Sequence, residues 1–310
     1  MMNHSTLHFR PATEVDPEAV RALLRDTCYQ GCDLNIMNLA GWSFHFGTEL
    51  SLDAERLVGR FRLAGRTAYM AAVTDGSWRE TLDLIAADAD RLGAPLLLTG
   101  VCRHVVPHIE AAHPGRFRFT PVRNLFDYVY RREDLATLAG KKLQPKRNHA
   151  NRFARLYPGY VFAPMTAADA PDCLALAEQW AARHGAEADG ASAGGERDAI
   201  RYVLSHWDRL GALGGTLRVD GRLVAFTYGG AVNGTTFDVC VEKADTDYDG
   251  AYAVINRDFA RSLPEQFAFV NREEDLGIEG LRRAKLSYHP HVLLEKCAVT
   301  LLSSPEPCLT

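Results

Sequence analysis

The stretch VFAPMTAADAPDCLALA at residues 161–177 repeats the stretch HFRPATEVDPEAVRALL at residues 8–24. In each copy a short apolar segment ends at a proline. A threonine then stands where its hydroxyl can cap a helix, with an aspartate three residues later. Six identities in one fixed register favour a duplicated strand–turn–helix unit, and predict two similar halves that meet near residue 155. The identical pairs are Phe9 and Phe162, Pro11 and Pro164, Thr13 and Thr166, Asp16 and Asp169, Ala22 and Ala175, and Leu23 and Leu176.

The composition is that of an ordinary globular protein. The chain has 310 residues, which fits two domains of about 150 residues each. A formal net charge of −4 provides no overall basic field that would indicate a DNA partner. The longest apolar runs are far below the ~20 residues of a membrane span, and the first residues lack the apolar core of a signal peptide. We therefore predict a cytoplasmic protein with no transmembrane segment and no DNA partner.

The cysteines and acidic residues show no complete metal-binding pattern. Seven scattered cysteines favour reduced thiols over a disulfide framework, and none has the Cys/His spacing of a zinc site. The segment DTDYDG at 245–250 matches the first half of an EF-hand loop, but Asn256 stands where that motif needs a glutamate. We predict no metal site.

Hydrophobic periodicity and turn residues predict alternating helices and strands in both halves. The first half is predicted to contain a hairpin (57–63 and 67–73), a helix (78–92) and two short strands (96–99 and 125–130). The second half is predicted to contain two helices (168–183 and 197–210) separated by a flexible loop (185–195), a meander (216–219, 223–230 and 235–241), a helix (250–262), a strand (267–270), a helix (276–286) and a last strand (291–299).

Several longer motifs lie outside the repeat. They are FDYVYR (126–131), KRNH (146–149), EKAD (242–245), VNREEDLGIEGLR (270–282) and KLSYHP (285–290), together with Cys32, Asp33, Asn38 and Trp42 in the first half. These motifs resemble a bacterial family of uncharacterised proteins related to the C-terminal domain of phosphatidylglycerol lysyltransferase. The order of the elements resembles the GNAT acyltransferase fold, present twice. The resemblance covers almost the whole chain.

The resemblance implies a fold class and a domain division. The fold is α/β (α+β), with two tandem GNAT-like domains, each a mixed, mostly antiparallel sheet flanked by helices. The N-terminal domain spans 1–155 and ends in a basic linker helix, and the C-terminal domain spans 156–310. This architecture is shared with transferases that use aminoacyl-tRNA. It leaves the reaction open, because one fold supports many functions.

The loop at residues 242–250 is the first candidate site. GNAT enzymes that use acyl-CoA hold its pyrophosphate on a glycine-rich loop at this point, at a helix N-terminus. Here the loop carries Glu242, Asp245, Asp247 and Asp249, which would repel a pyrophosphate. Carboxylates suit the ammonium group of an amino acid instead. The alternative is an acidic segment that complements the dipole of the next helix.

The charged stretch between Phe269 and Tyr288 is the second candidate site, because it follows a strand end where ligands bind in open α/β sheets. A structural alternative is a helix with acidic residues before it and basic residues at its end. Acyl transfer needs a base for the nucleophile and a proton donor for the leaving group. The predicted catalytic residues are Glu242, Glu273, Asp275 and Tyr288, and the choice among Glu273, Glu274 and Asp275 stays open. The predicted substrate-binding residues here are Lys243, Asp245, Asn271 and Lys285.

The segment from Gly140 to Arg155 is the third candidate site, with six Lys and Arg in sixteen residues. Phosphate-bearing ligands would be attracted to it, so Lys146, Arg147 and Asn148 are predicted to bind substrate. The alternative is a solvated helix between the halves.

These observations predict an acyltransferase whose second half carries the chemistry. The donor is predicted to be aminoacyl-tRNA, and the acceptor an amine or hydroxyl of a lipid or small molecule. The tRNA 3′ end would be a partner, and no cofactor would be held tightly. Two alternatives stay open: an N-acetyltransferase with acyl-CoA as donor, and a degenerate GNAT pair that binds a ligand without turnover.

Overall fold

A computed structural model describes residues 6–184 and 190–303. The strands are β1 (Arg10–Pro11), β2 (Glu49–Leu52), β3 (Arg56–Leu63), β4 (Arg66–Val73), β5 (Leu97–Cys102), β6 (Phe117–Pro121), β7 (Asp127–Arg131), β8 (Val161–Pro164), β9 (Leu213–Val219), β10 (Arg222–Ala231), β11 (Thr236–Ala244), β12 (Phe269–Asn271), β13 (Val292–Leu294) and β14 (Lys296–Leu301). The helices are α1 (Pro17–Leu24), α2 (Ile36–Gly41), α3 (Ser43–Phe46), α4 (Trp78–Arg91), α5 (Val106–Ala112), α6 (Arg132–Thr137), α7 (Gln144–Leu156), α8 (Ala170–His184), α9 (Gly190–Ser205), α10 (Trp207–Leu210), α11 (Ala251–Ser262) and α12 (Glu279–Leu286).

The strands form two mixed sheets. The first has the order β1-β2-β3-β4-β5-β14-β6, and the second has the order β13-β7-β12-β11-β10-β9-β8. Each sheet is mostly antiparallel and has one parallel pair, β4 with β5 and β11 with β12. This confirms the predicted α/β (α+β) class with two mixed sheets flanked by helices.

The two sheets exchange strands. Strand β14, the last one described, lies between β5 and β6 in the first sheet. Strand β7, from the first half of the chain, lies between β12 and β13 in the second sheet. The domain division at residue 155 stays a prediction, but the sheets do not follow it strictly, because each half completes the other half's sheet.

Buried side chains form apolar clusters on the sheets. One cluster covers the first sheet with residues of α1, α4 and α5, and another fills the space between the second sheet, α7 and α11. A third cluster joins the halves, because Met37 and Ala40 of α2 pack against residues of α8, α9 and β10. Burial of a side chain as large as Met37 adds about 1.5–3 kcal/mol to the free energy of unfolding, so this contact holds α2 beside the second sheet.

The repeated strand–turn–helix unit is capped differently in its two copies. Thr166 forms the predicted capping box with Asp169. In the first copy Asp16 is the N-cap of α1 and accepts from the Glu18 backbone N–H, so the helix begins after Asp16 instead of after Thr13. Proline at position 17 explains this start, since proline suits the first turn of a helix.

Two predicted elements are wrong in the second half. The flexible loop predicted at 185–195 is helical from Gly190 onward, while 185–189 lie outside the described residues. Glycine at position 195 has a packing role there, because a Cβ would lie 2.8 Å from the Trp42 ring. The last strand predicted at 291–299 is two strands, β13 and β14, which belong to different sheets. In 6–184 and 190–303 no helix is both long and apolar enough to cross a membrane.

A buried ion cluster lies where the exchanged strands begin. Asp127 starts β7 and Lys296 starts β14, and Lys296 Nζ lies 2.8 Å from Asp127 Oδ1. Lys296 also lies 2.7 Å from Asp33 and 3.9 Å from Glu274. Burial alone would lower the pKa of Lys296, but Asp127, Asp33, Cys32 and Glu274 raise it well above its ordinary value. The cluster therefore fixes the relative position of the two exchanged strands.

Candidate active site

Strands β11 and β12 diverge at their carboxyl ends, and we call the region between their diverging ends the cleft. They are paired only from Thr236 and Phe269 to Asp238 and Asn271. Strand β11 then continues to Ala244, whereas the chain after β12 follows β7. A crevice at the carboxyl ends of neighbouring parallel strands is the usual ligand site of an open α/β sheet.

A β-bulge at Cys240 decides which side chains enter this cleft. Gly229 of β10 pairs with Val239, and the preceding residue of β10 pairs with Val241, so Cys240 is the extra residue. The bulge needs a glycine opposite it, because a Cβ on Gly229 would lie 1.7 Å from a backbone oxygen of β11. Val239 and Val241 consequently pack into different cores, and Glu242 faces α11.

One side of the cleft carries a group of residues that we name the cationic pole: Lys146, Glu242, Asn256, Arg272 and Tyr288. Arg272 Nη2 donates to Glu242 Oε1 at 2.8 Å, and Asn256 Nδ2 donates to Glu242 Oε2 at 3.2 Å. Arg272 and Lys146 lie over the Tyr288 ring, at 4.9 Å and 4.3 Å from its centroid. Arg272 Nη1 and Asn256 Oδ1 are buried without a hydrogen-bond partner among the described residues. Unpaired buried polar atoms are rare in native proteins, so they mark a place for a polar ligand.

The cationic pole contains a proton donor. Burial raises the pKa of Tyr288 to about 12, although the nearby Arg272 opposes the shift. Tyr288 therefore keeps its proton at neutral pH and can donate it to a leaving group. Burial and then the charge of Arg272 lower the pKa of Lys146.

The other side of the cleft carries Asn35, Asn38, Asp238, Cys240 and Glu273, which we name the acidic pole. Asn35 Nδ2 and Asn38 Nδ2 donate to Asp238 Oδ2 at 3.0 Å and 3.3 Å. Asn38 Nδ2 also donates to Glu273 Oε1 at 2.7 Å. Asp238 Oδ1 is buried and has no hydrogen-bond partner in the described chain. Both asparagines belong to the first half, so the two halves build this pole together.

An unusual backbone conformation places Glu273 at the acidic pole. Its φ of +57° lies in the left-handed region, which residues other than glycine rarely adopt. Beyond β12 this conformation breaks the alternation of side chains, so Glu274 also reaches the first half and its Oε2 lies 3.2 Å from Cys32 Sγ. Of the three carboxylates left open by the sequence, Glu273 and Glu274 face the segment 32–38.

Burial dominates the protonation of these carboxyls. It raises the pKa of Asp238 to about 8, and the charges of Asp127 and Glu274 add to the shift. Burial, Asp238 and Glu274 raise the pKa of Glu273 well above its ordinary value. A carboxyl whose pKa approaches neutral pH is suited to general base catalysis.

Asp275 and Lys285 lie outside the two poles. Asp275 is fully buried and binds Arg282, Arg123 and the Tyr128 hydroxyl at 2.9, 2.9 and 2.6 Å. Burial alone would raise the pKa of Asp275, but these donors lower it strongly. Lys285 Nζ donates to the carbonyl oxygens of Arg272 and Glu274. The structure thus places Asp275 in an ion-pair network and Lys285 against the backbone that follows β12.

The acidic loop at 245–249 is neutralised by arginines. Asp245 pairs with Arg183 and Arg222, each at 3.0 Å, and Asp247 pairs with Arg183. Asp249 pairs with Arg152 of α7 at 2.7 Å. Helix α7 also covers the start of α11, because a Cβ on Gly250 would lie 2.6 Å from the His149 carbonyl oxygen. A pyrophosphate therefore has no open helix N-terminus at this point.

The remaining predicted site residues are dispersed. Lys243 pairs with Glu196 at 2.8 Å and lies 3.6 Å from the Trp180 ring centroid. Asn271 is fully buried and donates to Asp127 Oδ2 and to the Gln30 carbonyl oxygen. Arg147 donates to the carbonyl oxygens of Leu138 and Gly140 at the end of α6, and Asn148 is exposed on α7. The structure brings Glu242, Tyr288 and Lys146 together with Arg272, and places Glu273 on the opposite side.

Two groups of side chains have the spacing that could hold a metal ion among the described residues. The first is Cys32, Asp33 and Asp127, but the Lys296 ammonium already occupies this group. The second is Asp238, Cys240 and Glu273 of the acidic pole, whose ligand atoms lie within 4.8 Å of one another.

The comparisons with known proteins give the family. The family model described as "Phosphatidylglycerol lysyltransferase, C-terminal" matches residues 26–299. The chain belongs to this family. A conserved protein of unknown function from Bacteroides thetaiotaomicron is 42% identical, with a TM-score of 0.91, and the match covers 96% of this chain and 100% of that one. No curated protein matches the chain in sequence.

Two solved structures of low sequence identity share the fold. The L-PGS structure from Bacillus licheniformis is 16% identical, with a TM-score of 0.67 and coverage of 94% of this chain and 93% of that one. The C-terminal domain of a putative lysylphosphatidylglycerol synthetase from Agrobacterium fabrum is 15% identical, with a TM-score of 0.65 and coverage of 93% and 92%. The tandem GNAT-like fold is confirmed, and membership of the lysyltransferase family supports a transferase of the acyl or aminoacyl kind.

In the first sheet, side chains fill the corresponding region between β4 and β5. Tyr29 fills the space between β4 and β5, where its hydroxyl bonds both the N–H and the carbonyl oxygen of Val73. The Asp33 side chain packs directly on Gly100, because its Cγ lies 2.9 Å from the position that a Cβ on Gly100 would take. The cavity left there is about 10 Å³, which is too small for a ligand.

Sequence reasoning missed Asn35, Asp238 and the part that Arg272 plays. Asp238 carried a readable signal, because it is a lone carboxylate within the apolar strand TFDVCV. Arg272 lies in the charged stretch between Phe269 and Tyr288, and its residue type does not distinguish it from the other cations there. Asn35 and Asn38 belong to the other half of the chain, so only the fold brings them to this site.

Proposed function

We propose that this protein transfers an aminoacyl group from aminoacyl-tRNA to an amine or hydroxyl of a lipid or small molecule. The observation that carries the proposal is the cationic pole. Arg272 Nη1 is buried there without a hydrogen-bond partner in the described chain, and Lys146 lies over the same Tyr288 ring as Arg272. An anionic group such as the phosphate that precedes the 3′-terminal nucleoside of a tRNA would be bound there, because Arg and Lys are the usual phosphate ligands.

The residues at the cleft supply the chemistry of transfer. The acceptor N–H or O–H would attack the ester carbonyl carbon, and Glu273 would take the proton. The bond to the ribose oxygen would break, and Tyr288 would donate its own proton to that oxygen. Glu273 would then release its proton to solvent and Tyr288 would regain one from solvent before the next turnover. Glu242 holds Arg272 in place through the 2.8 Å ion pair.

The arrangement of the neighbouring loop supports aminoacyl-tRNA over acyl-CoA as donor. Asp245, Asp247 and Asp249 occupy the place where GNAT enzymes bind a pyrophosphate, and α7 covers the helix N-terminus behind them. A pyrophosphate would meet carboxylates there instead of free backbone N–H groups.

A ligand panel tests the donor. Thermal unfolding is followed with acetyl-CoA, with free amino acids and with charged tRNA, since a ligand that binds the native state raises the melting temperature. Stabilisation by charged tRNA with a product detected by mass spectrometry supports the proposal. Stabilisation by acetyl-CoA alone contradicts it, and stabilisation without any product assigns the protein to ligand binding.

Replacing Arg272 tests the cationic pole. Arg272→Gln is expected to lower the rate of transfer from charged tRNA by about 100-fold, the usual effect of removing one buried charged donor from an active site. Lys146→Gln is expected to weaken tRNA binding and to reduce its dependence on salt. Arg201→Gln, an exposed arginine on α9, is the matched control and should leave both unchanged. Equal rates for Arg272→Gln and the control would exclude the cationic pole.

A further inference from the structure

The acidic pole carries more negative charge than its surroundings neutralise. It adjoins the ion cluster at Lys296, and the charges of both groups influence one another. Two ammonium groups face five carboxyls in this buried region. The carboxyls are Asp33, Asp127, Asp238, Glu273 and Glu274, and the ammonium groups are Lys285 and Lys296. Burying uncompensated charge is costly, so the region must bind protons or a cation.

One atom shows where a cation would bind. Asp238 is fully buried, and its Oδ2 accepts from Asn35 and Asn38, but its Oδ1 has no partner among the described residues. A buried carboxyl oxygen normally has a hydrogen-bond partner. Oδ1 therefore carries the carboxyl proton when no ligand is bound, and an ammonium group that displaces this proton would be its donor. Glu273 is held beside Asp238 by the same asparagine, since Asn38 Nδ2 also donates to Glu273 Oε1 at 2.7 Å.

The spacing of the acceptors fits an ammonium group. One acceptor atom from each of Asp238, Cys240 and Glu273 lies within 4.8 Å of the others. An ammonium nitrogen has three N–H donors at tetrahedral angles. Three acceptors placed about 2.9 Å from such a nitrogen would be about 4.7 Å apart. The upper limit of 4.8 Å on the separations of the three atoms admits this arrangement.

We propose that the acidic pole binds a primary ammonium group between Asp238, Glu273 and Cys240, held in shape by Asn35 and Asn38 of the first half. The inference deepens the proposed function and rests on it, because the ammonium group belongs either to the aminoacyl donor or to an amine acceptor. Both sources present the same –NH₃⁺ chemistry to the three acceptors.

Binding of small amines tests this site without turnover. Isothermal calorimetry is done at pH 7.5 with EDTA present, using alaninamide and leucinamide as donor-like probes and ethanolamine and putrescine as acceptor-like probes. We expect the donor-like pair of probes, the acceptor-like pair, or both to bind. N-acetyl-alaninamide has no ammonium group and is expected not to bind. Asp238→Asn and Glu273→Gln should each weaken binding at least tenfold. Asp172→Asn, an exposed carboxylate on α8, is the matched control and should bind as the wild type does.

Each outcome decides the inference. Binding by the amides assigns the ammonium to the donor, and binding by the simple amines assigns it to the acceptor. The site is excluded if N-acetyl-alaninamide binds equally well, if no amine binds, or if the affinity is the same in Asp238→Asn and Asp172→Asn. In a separate titration without EDTA, binding of one equivalent of zinc by a protein that binds no amine would make it a metal site and also exclude the proposal. Amine binding without transfer from charged tRNA would retain the site and reject the proposed function, whereas transfer without amine binding would do the reverse.

Discussion

Replacing Lys296 with methionine is expected to reduce the free energy of unfolding by about 3–5 kcal/mol, the usual effect of breaking a buried ion pair by removing one partner. Lys296 is 1% exposed and Asp127 is fully buried, so water cannot replace the lost ammonium group. Methionine would leave Asp127 and Asp33 without their 2.8 Å and 2.7 Å partner. The protein is destabilised chiefly because buried carboxylates are left without a counter-charge, and less because the attraction of the Lys296 ion pairs is lost.

Chemical denaturation followed by tryptophan fluorescence measures this effect. The double variant Lys296→Met with Asp127→Asn should recover part of the lost stability, because one stranded charge is gone. Lys142→Met replaces an exposed lysine and serves as the control with no expected change. A Lys296→Met protein as stable as the Lys142→Met protein would show that the cluster does not stabilise the fold.

The second large expected effect concerns pH. Titration of Asp238 is expected to lower the free energy of unfolding as pH rises. The pKa of Asp238 is about 8 in the folded protein, against 3.8 for an ordinary aspartate. Between these values the folded state binds more protons than the unfolded state, so the stability contribution is complete below pH 4 and is lost as pH rises through 8. Between these two pKa values, one such group changes the free energy of unfolding by about 1.4 kcal/mol per pH unit.

The comparison of wild type with Asp238→Asn isolates this group. Asparagine does not titrate, so the variant should gain stability relative to the wild type at each step from pH 5 to pH 8. Denaturation midpoints at four pH values in this range give the difference. Glu273 and Glu274 also have raised pKa values, so the variant keeps a shallower slope of the same sign. Parallel curves for the two proteins would mean that Asp238 does not retain its proton.

The local elements could be predicted from the sequence, and the partners of the strands could not. The hairpin β3–β4 and the helices α4 and α11 lie within one or two residues of their predicted ranges, because their turns and apolar periods are local signals. Strands β7 and β14 have five and six residues and each begins with a charged residue, and nothing in such a short strand specifies which sheet it joins. Their exchange depends on contacts between distant parts of the chain.

The candidate site was predictable in part for the same reason. The sequence predicts Glu242 from its strand end, Lys146 from its basic segment and Tyr288 as a proton donor, and the structure brings the three to one pole. Asp275 looked equivalent to Glu273 in sequence, but the left-handed backbone at Glu273 turns the two side chains apart. That conformation has no signature in the residue types, since Glu rarely adopts it.

The exchange of β7 and β14 makes the two halves interdependent during folding. The first sheet lacks its sixth-placed strand until β14 has been synthesised, and the second sheet depends on β7 from the first half. A nascent chain therefore cannot complete its N-terminal half alone, although domains commonly fold in order of synthesis. Pairings between distant segments also slow folding, because the chain must close long loops before these contacts form. Because each half supplies a strand to the other half's sheet, the halves cannot separate as hinged domains. Asn35 and Asn38 of the first half therefore stay beside Asp238 in the cleft between β11 and β12.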